Sequence, residues 1–436
     1  MNVELRTAKT AAEQALSDAF ATARATLPGK GGIAKLREDA FKRFDTAGLP
    51  HRRVEEWRYT DLRALMREAK PLAGPAGKTI AGGVPPLTGV AADTIAIVNG
   101  RYEPAWGDAK PTDPNLTVSE LFKYLADNPD YRIGEMPGSN DVAYWLNTAF
   151  MSGGVALRVK RGATPGKPIH LAHIFSGGEA AAMYPRSVVI VEPGARLTLI
   201  ESFSGPEDID YQVNSALELV IGDGAHVDHI RLGYDGGAAL RVSTLGVVVG
   251  AKATYKDFAF TLGGAVVRNQ TFVRFAGEGS EGFIDGANLL KGRQHVDNTL
   301  VIDHAVGHCL SRERFKSVLD GESHGIFQGK IIVEPHAQKT DGKMMTRVLL
   351  LSDAAEADNK PELEIFADDV VCGHGATAGA LDEGLKFYLM SRGIPAAEAE
   401  ALLVQAFVGE VVEEIAHEPL REAVMFAALK WLGSRQ

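Results

Sequence analysis

The chain has 436 residues, 45% of them hydrophobic and 23% charged, a balance typical of a protein that folds around a large core. Its formal net charge of −10 argues against a nucleic-acid-binding protein, which requires a concentrated basic surface. The first twenty residues lack the apolar core of a signal peptide, and no later stretch is apolar for long enough to span a membrane. We therefore expect a cytoplasmic protein.

The N-terminal part of the sequence predicts helices. Thr10 and Glu13 have the spacing of a capping box, and apolar residues follow at steps of three and four. A second amphipathic run ends at Gly48, which is a typical C-terminal cap. The stretch from Lys70 to Gly89 is rich in proline and glycine and predicts a connector, so we expect a domain boundary there.

The middle of the sequence predicts strands. Between Gly154 and Val348, short runs of β-branched residues alternate with glycine-centred turns. Similar turns begin at 191, 221, 249 and 275, at spacings of 30, 28 and 26 residues. A period of this size is typical of the stacked coils of a β-solenoid. A β-sandwich of hairpins also fits two strands per thirty residues, so both folds stay open at this point.

Helical signals return towards the C-terminus. Asp382 is placed to cap a helix that ends at Gly393, and Pro395 and Pro419 each lie near the start of a further amphipathic run. We expect the chain to end in a helical bundle.

Two stretches of the sequence partly match nucleotide-binding motifs. Gly329 and Lys330 lack the remaining residues of a phosphate-binding Walker loop, so any ATP chemistry belongs to a partner. The stretch 373–378 matches the GxGxxA dinucleotide fingerprint, but only helical patterns follow it, whereas a dinucleotide fold needs further strands. We therefore expect no nucleotide to bind this chain.

The two cysteines, Cys309 and Cys372, exclude a disulfide framework and a four-thiolate site made by one copy. His304 and His308 lie near Cys309, but the surrounding pattern favours ordinary strand residues over a metal cluster. Cys372 and His374 are a sharper pair, since a thiolate and an imidazole two residues apart between glycines can face one ligand. A buried cysteine beside a hydrogen-bonded histidine is the alternative, and spacing alone favours it.

Three motifs together resemble the SufB and SufD family of iron-sulfur cluster assembly proteins. They are the stretch from Ser311 to Pro395, the segment HRRVEEWRYTDL at 51–62 and the motif LNTAF at Leu146. Within the family, the CGHGAT sequence beginning at Cys372 is similar to the SufD form. The resemblance implies a mainly β protein with a right-handed parallel β-helix core, flanked by α-helical N-terminal and C-terminal regions. The domain ranges that we expect are 1–68 (helical), 69–153 (linker and mixed α/β), 154–350 (β-helix) and 351–436 (helical).

The resemblance also implies a function and a set of partners. It implies a non-catalytic scaffold subunit that pairs with SufB through the β-helix and binds the SufC ATPase through its C-terminal helices. A nascent iron-sulfur cluster or iron would lie transiently at the SufB interface, with His374 matching a required histidine and Cys372 as its neighbour. A homodimer is possible for the isolated chain.

The ATPase contact is predicted on one helix, and the alternative is that its apolar side chains are bundle core. The predicted contact residues are Phe387, Tyr388, Leu389, Met390, Ser391 and Arg392. A stand-alone β-helix enzyme acting on carbohydrate is the competing function. It would require paired carboxylates, for which Asp285, Asp297 and Asp303 are the candidates.

Overall fold

The computed structural model describes residues 8–77, 87, 89–108 and 113–434. More of these residues lie in strands than in helices. The helices are α1 (Ala11–Ala23), α2 (Gly32–Ala47), α3 (Leu62–Leu65), α4 (Leu121–Asp127), α5 (Val142–Phe150), α6 (Glu383–Ser391), α7 (Ala396–Val412) and α8 (Glu418–Gly433). None of these helices is both long enough and apolar enough to span a bilayer.

Within the described residues, twenty strands build the centre of the molecule. The first nine are β1 (Asp93–Val98), β2 (Arg101–Tyr102), β3 (Leu116–Glu120), β4 (Val155–Val159), β5 (Ile169–Ile174), β6 (Ala182–Met183), β7 (Arg186–Val191), β8 (Arg196–Ser204) and β9 (Gln212–Ile221). They continue with β10 (His226–Tyr234), β11 (Leu240–Val249), β12 (Thr254–Thr261), β13 (Val266–Phe275), β14 (Glu281–Leu290) and β15 (His295–His304). The last five are β16 (Leu310–Leu319), β17 (His324–Val333), β18 (Asp341–Leu350), β19 (Glu356–Ile365) and β20 (Val371–Ala380).

The strands form two sheets that the chain visits in turn. The first sheet has the order β2-β1-β5-β8-β10-β12-β14-β16-β18-β20, and the second has the order β19-β17-β15-β13-β11-β9-β7-β4-β3. From β7 onwards each strand pairs in parallel with the strand one coil earlier. Hairpins of a sandwich would pair antiparallel. The structure is therefore a parallel β-helix with helical flanks, which confirms the predicted fold class.

The turn repeat seen in the sequence is the repeat of the coils. Val191 is paired with Ile221, Ile221 with Val249, and Val249 with Phe275, each on the next strand of the second sheet. The four glycine-centred turns therefore stack on one another where the chain crosses to the first sheet. Small residues are required there because each turn lies directly against its neighbours.

Alternate side chains along each strand point into the coils and form the apolar interior. On the first sheet these inward residues include Leu199, Val227, Tyr255, Ile284 and Phe315. Helices cover the outer faces of both sheets. The N-terminal helices and α5 pack on the second sheet, whereas α7 and α8 pack on the first. The C-terminal helices are therefore in direct contact with the coils.

The two N-terminal motifs that carry the family resemblance fasten this region to the second sheet. The ring of Trp57 stacks 4.0 Å from the guanidinium of Arg268 on β13. Asn147 of the LNTAF motif accepts a hydrogen bond of 2.8 Å from Arg186 Nε on β7. Both contacts are buried, so these motif residues have a structural role.

One predicted domain range differs from the structure, and one predicted connector lies partly outside the described residues. The range 351–380, expected to belong to the helical region, consists mainly of the strands β19 and β20, and the C-terminal helices begin at Glu383. The strand signal was weak because these terminal strands lack apolar alternation: β19 reads EADNKPELEI and β20 reads VCGHGATAGA. The connector predicted between Lys70 and Gly89 lies partly outside the described residues.

Candidate functional site

The C-terminal end of the β-helix is open. In the described part of the chain, β20 pairs only with β18, and β19 pairs only with β17. Both edge strands are ten residues long and expose unpaired backbone groups along their outer sides. Where the chain passes from β19 to β20, Ile365, Phe366 and Val371 are exposed, with exposed fractions of 40%, 61% and 59%. An edge of this kind is typical of a surface that receives another protein.

Cys372 and His374 lie together on this open edge. They are two residues apart on β20, so their side chains point to the same face of the strand. Cys372 is paired with Gly342 and is half-buried against the apolar interior, whereas His374 is paired with Met344 and is exposed. The thiol of Cys372 and the imidazole of His374 therefore lie on the same side of β20, at the open end of the β-helix interior.

The surroundings of Cys372 keep its thiol protonated. Burial raises the pKa of the Cys372 thiol, and the carboxylates of Asp341 and Glu313 raise it further. The backbone N–H of Gly342 lowers this pKa, but by less than burial raises it. A thiol becomes a strong metal ligand only as the thiolate. The Cys372 thiol therefore binds a metal ion only when the positive charge of that ion stabilises the thiolate.

One chain does not complete a metal site at this edge. Within residues 8–77, 87, 89–108 and 113–434, no three His, Cys, Asp or Glu side chains are placed to hold a metal ion. Cys372 and His374 supply one soft and one borderline ligand. Any further ligands have to come from a second protein docked on the open edge.

The helix predicted to contact an ATPase follows this edge directly. Helix α6 begins three residues after β20 and has no buried residue. Phe387 is 72% exposed, and Tyr388 and Met390 are also exposed, while Leu389 is half-buried. Ser391 and Arg392 are exposed at the end of the helix. These side chains are therefore a surface, and the bundle-core alternative is wrong for this helix.

Comparison with known proteins identifies the family. The family model of the SufBD core domain of SUF-system iron-sulfur cluster assembly matches residues 173–407, and that of the SufBD N-terminal region matches residues 10–171. The iron-sulfur cluster assembly protein SufD of Escherichia coli is 32% identical over 87% of this chain and 88% of its own length. The chain belongs to the SufB/SufD family.

Other family members are similar over different extents. An iron-sulfur cluster assembly SufBD family protein of Synechocystis is 29% identical over 88% of this chain and 87% of its own length. The SufD protein of Bacillus subtilis is 28% identical over 64% of each chain. These matches confirm the resemblance to the SufB/SufD family that the three sequence motifs indicate.

His304, His308 and Cys309, for which the sequence favours ordinary strand residues over a metal cluster, do not converge on a site in this SufB/SufD family protein. His304 is the last residue of β15, and its Nε2 lies 3.0 Å from Ser311 Oγ in the interior. His308 lies in the following turn, with φ +60°. Cys309 is 1% exposed, with its Sγ 3.3 Å from Ser280 Oγ. These contacts support the interpretation of Cys309 as a small buried side chain.

The competing enzymatic motifs also fail on geometry. The GxGxxA stretch 373–378 lies wholly within the strand β20, so it cannot form the turn that a dinucleotide phosphate requires. Asp285 lies on the first sheet, whereas Asp297 and Asp303 lie on the second. Each of the three pairs with an arginine rather than with another carboxylate. Asp285 pairs with Arg314, Asp297 with Arg268 and Asp303 with Arg274.

Sequence reasoning missed one polar residue behind the edge. Glu313 is fully buried, and neither of its carboxylate oxygens has a hydrogen-bond partner. Glu313 is on β16, and β18 lies between this strand and β20. Glu313 is paired with Met344 of β18, which is paired in turn with His374 of β20. The only available signal was the alternation in SRERFKSVL, which places Ser311, Glu313 and Phe315 on the inward face.

Proposed function

We propose that this chain is a non-catalytic scaffold subunit of a SUF iron-sulfur cluster assembly complex. Its open edge pairs with SufB, and its C-terminal helices bind the SufC ATPase. The nascent cluster or iron is cargo, held transiently at the SufB interface and then passed on, and the subunit assists iron acquisition. Membership of the SufB/SufD family supports this assignment.

The observation that carries the proposal is the position of Cys372 and His374 on a terminal strand whose outer edge is unpaired. Both side chains face one side of β20, and this edge is free to accept a strand from a partner. A partner docked there would bring its own ligands next to theirs. This accounts for a site that one chain leaves incomplete.

The exposed face of α6 supports the second contact. Phe387, Tyr388 and Met390 form an apolar surface on a helix that contributes nothing to the core. Aromatic side chains of this kind are typical anchors of protein interfaces. We assign this face to the ATPase.

The proposal is tested by co-purifying the chain with SufB and SufC under anaerobic conditions and measuring cluster content. We expect His374→Ala to enter the complex and to lower the cluster content at least tenfold. Thr377→Ala is the matched control, since Thr377 is exposed on the same strand but points to the other face. If the wild-type chain does not join the complex, the scaffold assignment is wrong. If His374→Ala matures clusters normally, the site assignment is wrong.

A further inference from the structure

A cleft on the outer face of the second sheet is separate from the open edge. Its walls come from residues between 47 and 57, from residues between 138 and 145, and from the strands β13 and β15. Its volume of about 470 Å³ is within the range of about 300–1,000 Å³ that pockets for small molecules have. One wall belongs to the motif at 51–62. A cleft enclosed from three directions suits a compact ligand better than an extended strand.

The walls of the cleft are fixed by hydrogen bonds of their own. The carboxylate of Asp141 accepts from the indole Nε1 of Trp57 at 2.9 Å and from the backbone N–H of Ala143 at 2.8 Å, so it joins the motif to the start of α5. The indole Nε1 of Trp145 donates to the backbone oxygen of Ser139 at 2.9 Å. The cleft is therefore preformed, and a ligand would order few side chains on binding.

The floor of the cleft is polar and buried. It is formed by Arg268, Gln270 and Thr299. One guanidinium nitrogen of Arg268 pairs with Asp297, and a second donates to the backbone oxygen of Glu56 at 2.6 Å. Its third nitrogen, Nε, has no hydrogen-bond partner among the described residues. A buried donor without a partner is costly, so an acceptor that reaches this floor gains a hydrogen bond there.

The charges at the cleft exclude an anionic ligand. One guanidinium, that of Arg268, is present with three carboxylates, those of Asp297, Asp141 and Glu56. Asp297 neutralises Arg268, whereas Asp141 and Glu56 leave the cleft negative, so an anion would be repelled. Both oxygens of Asp141 already accept hydrogen bonds from the walls, so this carboxylate is not available to a cation. The cleft therefore suits an uncharged ligand.

Apolar side chains surround the polar floor. Trp145, Phe272 and Val301 are half-buried, and Val54 is 37% exposed. A Cβ added at Gly138 would lie 2.2 Å from the ring of Phe272, so this ring packs directly on the backbone. Aromatic and branched walls of this kind bind the ring of a ligand through stacking and apolar burial.

We propose that this cleft binds an uncharged small molecule that combines an aromatic ring with a carbonyl group. The ring packs between Trp145 and Phe272, and the carbonyl oxygen accepts a hydrogen bond from Nε of Arg268 on the floor. Because the ligand contacts the motif, α5 and the sheet at once, it also holds the N-terminal region on the β-helix. The site is separate from Cys372 and His374 and does not depend on the proposed function.

Binding of probes that share one fluorinated ring tests the chemistry of the cleft. The full chain is titrated with para-fluorobenzamide, and the dissociation constant is measured from the line width of the fluorine NMR signal. We expect three other probes to bind at least tenfold more weakly: the charged para-fluorobenzoate and para-fluorobenzylamine, and fluorobenzene, which lacks the carbonyl. If the amide does not bind, or if any of these three probes binds as tightly, the proposal is wrong.

Filling the cleft tests its location. Val301→Trp should weaken binding of the amide at least tenfold, because the larger side chain takes the place of the ring. Val248→Trp is the matched control, since Val248 is a half-buried valine on the same face of the second sheet but on β11, outside the cleft. If Val301→Trp does not fold, Val54→Trp fills the cleft from the motif wall, where Val54 is exposed. Normal binding in a folded filling variant overturns the site.

A peptide probe separates a small molecule from a segment of a partner protein. A capped tripeptide with phenylalanine at its centre carries an aromatic ring and carbonyl groups on an extended chain. We expect it to bind more weakly than para-fluorobenzamide, because the cleft is enclosed from three directions. Tighter binding of the tripeptide would assign the cleft to a peptide segment and overturn the small-molecule assignment.

Discussion

A fully buried carboxylate is unusual, and Glu313 is such a residue, because the nearby Ser311 and Arg312 offset only part of the effect of burial on its pKa. Burial raises the pKa of Glu313 to about 8. In the unfolded chain it ionises near its ordinary value of 4.5. Because the folded pKa is the higher one, the unfolded state is favoured increasingly as pH rises from about 4.5 to about 8. Glu313 therefore destabilises the protein at neutral pH and costs nothing below about pH 4.5.

We expect Glu313→Met to raise the free energy of unfolding by about 3 kcal/mol at pH 7, since one pKa unit corresponds to about 1.4 kcal/mol. The gain should be smaller at pH 5.5. Denaturant unfolding at both pH values measures it. Glu281→Gln is the control, since Glu281 is exposed on β14. A stability difference that is the same at pH 5.5 and pH 7 would show that Glu313 is already ionised in the folded state at pH 5.5, as it is in the unfolded chain, so that its pKa is not raised to about 8.

We expect Glu313 to act on the site at the open edge. Glu313 also contributes to the raised pKa of Cys372, so its charge is felt at the open edge. Proteins commonly keep destabilising groups where function needs them. The alternation of SRERFKSVL shows that Glu313 faces inward, but its lack of partners depends on strands distant in sequence.

At the scale of elements, two exposed surfaces lie on either side of β20. Phe366, in the turn after β19, and Val371, the first residue of β20, belong to the open edge, whereas Phe387 belongs to α6. Each side chain is more than half exposed, so replacing it should leave the fold intact. The two surfaces can therefore be tested separately.

We expect Phe366→Asp to weaken SufB binding at least tenfold, or about 1.4 kcal/mol, without affecting SufC. Phe387→Asp should do the reverse, because a charge in an apolar contact must be desolvated. Binding of each purified partner by calorimetry measures both effects. Leu65→Asp is the control, since Leu65 is 37% exposed in the N-terminal region. Loss of both partners in either variant would mean that the surfaces are not independent.

Helices and coils were predictable from the sequence for different reasons. The capping box of Thr10 and Glu13 and the cap at Asp382 are local signals, and both are present in the structure. The coil period was visible because the stacked turns need small residues at regular spacing. The strands β19 and β20 gave no such signal, since a strand with one free edge and solvent on its faces needs no apolar alternation. The position of Cys372 and His374 on an open edge could not be predicted for the same reason.

At the scale of the whole molecule, the two ends of the β-helix differ. At the N-terminal end the sheets finish in the two-residue β2 and in β3, which are both antiparallel to their neighbours, and α4 packs there with Leu121 and Leu125 buried. These devices close an edge against further pairing. At the C-terminal end two ten-residue strands are left with a free edge. Association through strands is therefore directed to the end that carries Cys372 and His374.

This asymmetry gives a prediction about assembly. If one edge serves both a second copy and SufB, the two complexes exclude each other. We expect the isolated chain to form a concentration-dependent dimer that SufB converts into a one-to-one complex, because pairing with SufB satisfies the same backbone groups. Light scattering during a titration with SufB measures the masses. Val371→Lys should weaken both species, since its side chain lies at this edge. A particle containing two copies of this chain and SufB, joined without SufC, would show that the homodimer uses a different surface.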